Sequence, residues 1–298
     1  MKMMNINPRT ISYVSAVAEE KSFSKAAEKL YITQPSLSQH ILNAEKEYGV
    51  QFFDRKTLPL TLTYAGERFL EIAKEMERLD ERLTREMEDI TENVSGRICV
   101  GVTATRGAFF IPRLFSRFKA SHPRVELVLM EGSNAQLLDW VKSGKADVAF
   151  VGYSDPALHC ETIASLPLLL AVRKDHPLAV KIDPRQPVDL RLFQQEPFIL
   201  LREGQSIRRI ADRFFERAGV RPVIAYETRS YLMALQMARE GLGCTFAINH
   251  EIYPTEELLK FAIKGAEDTY PLLLVYREDL YLSRALRDFI SLSEEIRP

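Results

Sequence analysis

No stretch of this 298-residue chain holds enough consecutive apolar residues to cross a bilayer. The longest, SLPLLLAV from Ser165 to Val172, falls far short of the roughly 20 residues a membrane helix needs. The first residues do not lead one to expect a secretory leader either. MKMMNINPRT carries a charge at Lys2, but Asn5, Asn7, Pro8 and Arg9 stand where the apolar core of a leader would lie. Cysteine is scarce: Cys99, Cys160 and Cys244 are far apart and odd in number, which fits a reducing compartment and three buried thiols better than a disulfide framework. The expectation is a cytoplasmic protein with no membrane partner.

Catalytic signatures are equally short. There is no GxSxG elbow, P-loop, HExxH or paired metal-binding cysteine motif. The five histidines, His40, His122, His159, His176 and His250, are dispersed. His159 and Cys160 are adjacent, so on a strand they point to opposite faces and cannot share a site. Oxidant sensing by Cys99 or Cys244 lacks any sign of a lowered thiol pKa. No enzyme activity, metal or cofactor is therefore expected.

Hydrophobic residues at 46% and charged residues at 27% are ordinary for a folded protein, and the length suits two domains with a connector. Net charge is only -1, so its distribution carries the information. Eight basic and six acidic residues precede Thr63, whereas five basic and ten acidic residues lie between Thr63 and Asn93. Nucleic acid would tolerate the first segment and be repelled by the second.

The first segment reads as short helices separated by tight turns. Ile11, Val14 and Ala18 share one helical face. Ser22 caps a second helix, FSKAAEKL, whose Ala26, Ala27 and Leu30 allow close packing. Thr33 caps a third, with Pro35 tolerated in its first turn, Leu37, Ile41, Ala44 and Tyr48 on its buried face, and Gly49 as its stop. Helix, short turn, helix is the arrangement that offers the N-terminal side chains of its second helix to the major groove of DNA. Those side chains are Gln34, Ser36, Ser38, Gln39 and His40. Many small helical domains share this pattern without touching DNA, but amides and hydroxyls on the exposed face are readers of base edges. FFDRKTLPLTLT can then fold as a two-stranded wing, with Arg55 and Lys56 either reaching phosphate or simply solvated.

From Thr63 to Val94 the sequence reads as one helix of roughly 45 Å at 1.5 Å per residue. Phe69, Ile72, Met76, Leu79, Leu83, Met87, Ile90 and Val94 recur at spacings of three and four, the seam of a coiled coil. The stripe could pack on its own chain, but a partner helix from a second copy, meeting at Leu79, Leu83, Met87 and Ile90, is the expected arrangement.

The first 95 residues resemble the N-terminal part of LysR-type transcriptional regulators, through SFSKAAEKL (22–30), TQPSLSQHI (33–41), FFDR (52–55) and LTYAGERFL (62–70). The resemblance implies a winged helix-turn-helix domain over residues 1–62 and a linker coiled-coil helix over 63–95. Its DNA-binding set is Ser22, Ser24, Thr33, Gln34, Pro35, Ser36, Ser38, Gln39, His40 and Arg55. It also implies double-stranded DNA and RNA polymerase as partners, and a homodimer or dimer of dimers.

Beyond Arg97 apolar runs alternate with amphipathic segments, the pattern of an α/β fold. RICVGV, VELVLMEG and ADVAFVG read as strands around the helices IPRLFSRFKASHP and NAQLLDWVKSG, a right-handed β-α-β series. SLPLLLAV, PFILL, PVIAYE and CTFAI, with helices IRRIADRFFERAG and YLMALQMAREG, suggest a second unit. PLLLVY and SRALRDFISLSEEI would return to the first. The LysR resemblance continues through IPRLFSRF, VELVLMEG, LLDWVKSGKADVAFVG and AVRKDHPLA, and so covers essentially the whole chain. It implies an α+β multidomain protein whose residues 96–298 form a periplasmic-binding-protein-like (type 2) α/β effector domain. Its subdomain I spans about 96–163 and 268–298, subdomain II about 164–267, with crossovers near 163–168 and 263–270.

A cleft between two such sheets gathers helix N-termini, whose free N–H groups attract anions. The candidates for effector binding are Thr103, Ala104 and Thr105 after the first strand and Gly204, Gln205 and Ser206 before the long helix. Tyr153 and Thr228 end further strands on the same edge. Each hydroxyl alone is as well explained as a helix cap. Arg106 and Arg202 are either carboxylate partners or solvated surface charges. A small-molecule effector, most simply an organic anion, is the expected ligand. A binding protein without DNA function, or a cytoplasmic α/β enzyme, would leave TQPSLSQHI and the acidic helix unexplained.

Overall fold

The computed structural model describes residues 7–56, 59–90, 96–249 and 256–296. Its contacts divide the chain into two units, Met1–Met87 and Glu88–Pro298.

The first unit contains α1 (Pro8–Glu20), α2 (Phe23–Lys29) and α3 (Gln34–Tyr48). Each starts at a polar cap: Asn7 Oδ1 accepts from the Arg9 N–H, Ser22 Oγ from the Lys25 N–H and Thr33 Oγ1 from the Ser36 N–H. Gly49, with φ of 69°, ends α3 in the left-handed region where a Cβ would be strained. Leu37, Ile41 and Ala44 of α3 share one core with Val14, Val17, Ala26 and Ala27. The short strands β1 (Phe53–Asp54) and β2 (Thr61–Leu62) pair antiparallel as the wing.

The long helix α4 (Tyr64–Ile90) opens with the Thr63 hydroxyl accepting from the Gly66 N–H. Gly66 lies so close to the Phe52 carbonyl that an added Cβ would stand 2.1 Å from its oxygen. Phe69 stacks on Phe52 with ring centroids 4.5 Å apart, and Ala73 is buried in the same core. Phe69, expected in a coiled-coil seam, is therefore committed to its own domain, because the first turns of α4 close over the helix-turn-helix core. The rest of the stripe, Ile72, Met76, Leu79, Leu83 and Met87, stays between 41% and 63% exposed. Val94 and the Ile90 side chain lie outside what the structure describes.

The second unit begins with β3 (Arg97–Val102), α5 (Ala104–Ser121), β4 (Glu126–Glu131), α6 (Asn134–Ser143) and β5 (Val148–Val151), with β3 parallel to both β4 and β5. There follow β6 (His159–Arg173), β7 (Pro197–Leu201), α7 (Ser206–Ala218), β8 (Val223–Thr228), α8 (Tyr231–Arg239) and β9 (Thr245–Ile248). The last elements are β10 (Leu258–Phe261), β11 (Thr269–Tyr276) and α9 (Arg284–Glu295).

β6 is the element that passes between two lobes. Up to Pro167 it pairs with β11, which also pairs with β5; from Leu168 it pairs with β9, and from Leu170 with β10. SLPLLLAV is accordingly not a strand of its own but the second half of one 15-residue strand. The pairing is handed from one lobe to the other without a turn. The strand β10 has no counterpart in the sequence reading, since four residues, LLKF, are too short to show a period. The Cys244 N–H donates to the Pro197 carbonyl and the Ile199 N–H to the Cys244 carbonyl, which ties β7 to the β9 side of the second lobe.

Aromatic packing closes each lobe. Phe289 of α9 meets Phe118 of α5 edge-on at 5.1 Å, returning the C-terminal helix to the first lobe, and Phe198, Phe215 and Phe246 interlock in the second. The thiols differ from expectation: Cys244 is buried, Cys99 only partly, and Cys160 is exposed because the alternation along β6 turns it outward.

Candidate functional site

The candidate DNA-reading face is built on α3. Gln34, Pro35, Ser36 and Gln39 are exposed there, Ser38 is half-buried, and Ser24 is exposed on α2. The Ser22 and Thr33 hydroxyls serve as helix caps beside this face. The Gln39 side-chain amide donates to Asn43 Oδ1 at 2.9 Å, so Asn43, one turn further along the same face, extends the polar surface beyond the expected set. His40 turns the other way: its Nε2 lies 3.0 Å from Thr10 Oγ1 and its ring meets Tyr13 edge-on, which commits it to α1.

Arg55 is neither free nor simply solvated. Its Nη2 donates to Glu45 Oε2 at 3.0 Å, and its guanidinium lies 5.6 Å from the Phe23 ring centroid. Glu45 is buried, and its other oxygen accepts from the Phe52 and Phe53 N–H groups. One carboxylate thus fixes the entry to the wing and the base of Arg55. The sequence offered little sign of it, because Glu45 stands in a run of charged residues on an otherwise amphipathic helix.

The second candidate site lies between the lobes. β3 delivers the chain to the start of α5 and β7 delivers it to the start of α7, and both helix N-termini line one cleft of about 240 Å³. Thr103, Ala104, Thr105, Gly204, Gln205 and Ser206 all line it. These two helices differ from the other capped ones. Asn7, Ser22, Thr33, Ser133, Ser230 and Ser283 each accept a bond from their helix's first turn, whereas Thr103 and Gln205 do not. Thr103 Oγ1 instead accepts from Arg106 Nη1 at 3.3 Å. Gln205 accepts from the Arg202 N–H and donates to the Arg229 carbonyl. First-turn N–H groups of α5 and α7 are left for an acceptor in the cleft.

Two expected residues stand apart. The Thr228 hydroxyl accepts from the Ser230 N–H, folding into its own turn rather than the cleft. Tyr153 places its ring under Arg209, 4.9 Å from the guanidinium carbon, and its carbonyl accepts from Asn134 Nδ2. Neither belongs to the cleft lining. Arg202 is exposed and outside it too.

Arg106 is the residue whose placement matters most. It is 1% exposed, which excludes a solvated surface charge. Its Nε donates to the Pro271 carbonyl at 2.9 Å, and its guanidinium carbon lies 4.0 Å from the Tyr270 ring centroid. Its Nη2 is buried without a hydrogen-bond partner. Gly152 makes room for it: a Cβ there would stand 2.1 Å from Nη2 and 2.9 Å from Ser206 Oγ. Burial holds the Arg106 guanidinium below its ordinary pKa and pushes the Tyr270 phenol above its own. A legible sign did exist, since a cation in the first turn of a helix opposes the helix dipole and needs another reason to be there.

Among the described residues no helix is long and apolar enough to cross a membrane, and no group of three or more His, Cys, Asp or Glu could hold a metal.

A helix-turn-helix unit followed by a two-lobed domain with an uncapped cleft defines a DNA-binding regulator under small-molecule control. Residues 8–67 match the bacterial regulatory helix-turn-helix protein, lysR family, and residues 91–296 match the LysR substrate binding domain. The chain belongs to the LysR family of transcriptional regulators: it is a DNA-binding regulator of transcription with an effector-binding domain, and not an enzyme. It is 30% identical over 303 residues to an uncharacterized HTH-type transcriptional regulator, YcgK, of Bacillus subtilis (strain 168), covering 96% of this chain and 94% of that protein. In fold it is similar to full-length CbnR, solved in complex with its target DNA (TM-score 0.64, 22% identity, covering 97% of this chain and 99% of that one). The effector binding domain of QuiR, solved in complex with shikimate, is also similar (TM-score 0.59, 19% identity, covering 68% of this chain and 97% of that one).

Proposed function

We propose that this LysR regulator is controlled by a small organic anion held between α5 and α7, with Thr103, Thr105 and Ser206 as the polar contacts. The observation that carries this reading is that, of the three helix N-termini lining the cleft, α6 is capped by Ser133 while those of α5 and α7 are the two whose caps leave their first-turn donors unmet by a side chain. Each offers roughly half a positive charge, and an anion at such a terminus gains about 0.3 to 2 kcal/mol. Shikimate, the ligand of the QuiR domain, is itself a carboxylate. A ligand touching both lobes favours one angle between them across β6 and β11, provided it binds the two closure states unequally.

The same reading assigns Gln34, Ser36, Ser38 and Gln39 to base edges and Arg55 to the DNA backbone. It places two chains together through Leu79, Leu83 and Met87, as a homodimer or dimer of dimers on an interrupted inverted repeat. It puts the protein in the cytoplasm, acting on transcription through RNA polymerase. Calorimetry with a panel of carboxylates tests the effector site. Thr103→Val should weaken carboxylate binding and leave ligand-free DNA affinity intact. Normal binding by Thr103→Val, or binding of cationic or uncharged ligands alone, refutes the site.

A further inference from the structure

The residues lining the cleft include two arginines, Arg106 and Arg229, and no aspartate or glutamate. Arg106 lies in the floor, buried, with Nη2 lacking a partner. Arg229 is exposed, and among the described residues its guanidinium forms no ion pair. The N-termini of α5, α6 and α7, all in the lining, add roughly half a positive charge each. A ligand with a single negative charge, seated over Arg106 and the helix N-termini, would leave the Arg229 guanidinium beside it without a counter-charge.

We infer that the effector carries two anionic groups, one over the N-termini of α5 and α7 with Arg106 behind it, the other held by the guanidinium of Arg229. This rests on the reading that the cleft binds an organic anion, and adds its charge. The cleft volume, about 240 Å³, lies below the roughly 300 to 1,000 Å³ of sites for drug-sized ligands. The molecule is therefore compact, with its two charged groups close together. Arg229 suits the second group because a guanidinium offers a planar fork to carboxylate or phosphate oxygens, and it is not already spent on a protein carboxylate. Arg106 has a different task. Stacked on Tyr270 and tied to the Pro271 carbonyl, it is a fixed countercharge beneath the first group.

The test is titration calorimetry on the full-length protein with matched pairs differing by one anionic group: butyrate against succinate, and benzoate against phthalate, at constant ionic strength. In at least one pair the diacid should bind about tenfold more tightly than the monoacid. Arg229→Gln should reduce diacid affinity to the level of the monoacid, and Arg229→Lys should restore part of the difference. Arg229 is exposed, so these variants should fold, which circular dichroism checks. Monoacids binding as tightly as diacids, or a diacid preference that persists in Arg229→Gln, would overturn the inference while leaving the anion site standing. If neither member of either pair binds, the anion reading falls and this inference with it.

Discussion

Glu45 and Arg55, ten residues apart, meet at 3.0 Å beside the wing, with the carboxylate buried and the Arg55 side chain 39% exposed. Arg55 therefore has a structural task alongside any contact with DNA. Arg55→Ala should lower the stability of the helix-turn-helix unit by about 1 kcal/mol, since solvent already screens much of the pair. Glu45→Ala should cost about 3 kcal/mol, because the Phe52 and Phe53 N–H groups lose their acceptor as well. Chemical denaturation of the two variants checks the order. Equal losses would show that the buried carboxylate does not organise the wing.

On DNA the two kinds of contact should separate. Gln34→Ala should relax base preference at one half-site position at a cost of about 1 to 3 kcal/mol, whereas Arg55→Ala should weaken all sequences alike. Binding measured on a set of single-base operator variants distinguishes these outcomes, and a uniform loss for both would remove Gln34 from base reading.

The exposed stripe on α4 predicts self-association. Leu83 is 56% exposed within one chain. Leu83→Glu would bury a charge in the seam between two copies, so the dimer should dissociate and DNA affinity should fall with it. Sedimentation gives the mass; an unchanged value would mean that the stripe is not the interface.

Gly152→Ala should damage the cleft out of proportion to one methyl group. Its Cβ would fall 2.7 Å from the Arg106 guanidinium carbon, and Arg106 cannot easily retreat from the Pro271 carbonyl and the Tyr270 ring. A loss of about 1 to 3 kcal/mol in thermal unfolding is expected, together with loss of anion binding. A wild-type melting curve would show that Arg106 is free to move.

Burial pushes the Cys244 thiol up to about 12. Its proton therefore stays on in the folded chain but leaves the unfolded chain near pH 9. That contribution to stability is complete below pH 9 and declines by about 1.4 kcal/mol per pH unit as pH rises toward 12. At pH 8 iodoacetamide should label exposed Cys160 in the native protein and Cys244 only after denaturant is added. Rapid native labelling of Cys244 would contradict its burial.

Much of this molecule follows from local sequence. Ser22, Thr33 and Gly49 punctuate the first helices, and the three-and-four spacing from Ile72 to Met87 marks an apolar face on α4. The turns after RICVGV, VELVLMEG and PFILL supply the helix starts that line the cleft. These are readable because caps, breakers and periodicity act over a few residues. Tertiary structure decided what depends on partners distant in the chain. Phe69 has the spacing of a seam residue, yet Phe52 claims it for the core. SLPLLLAV continues back to His159 because β11 pairs with one half of the strand while β9 and β10 pair with the other. Thr228 and Tyr153 turn from the cleft toward neighbours that no period reveals. Arg106 reads as an ordinary helix charge until Pro271 and Tyr270, more than 160 residues away, bury it. Periodicity records which face of an element is apolar, while the identity of what covers that face, and the charge left beneath a cleft, arise only when separate elements meet.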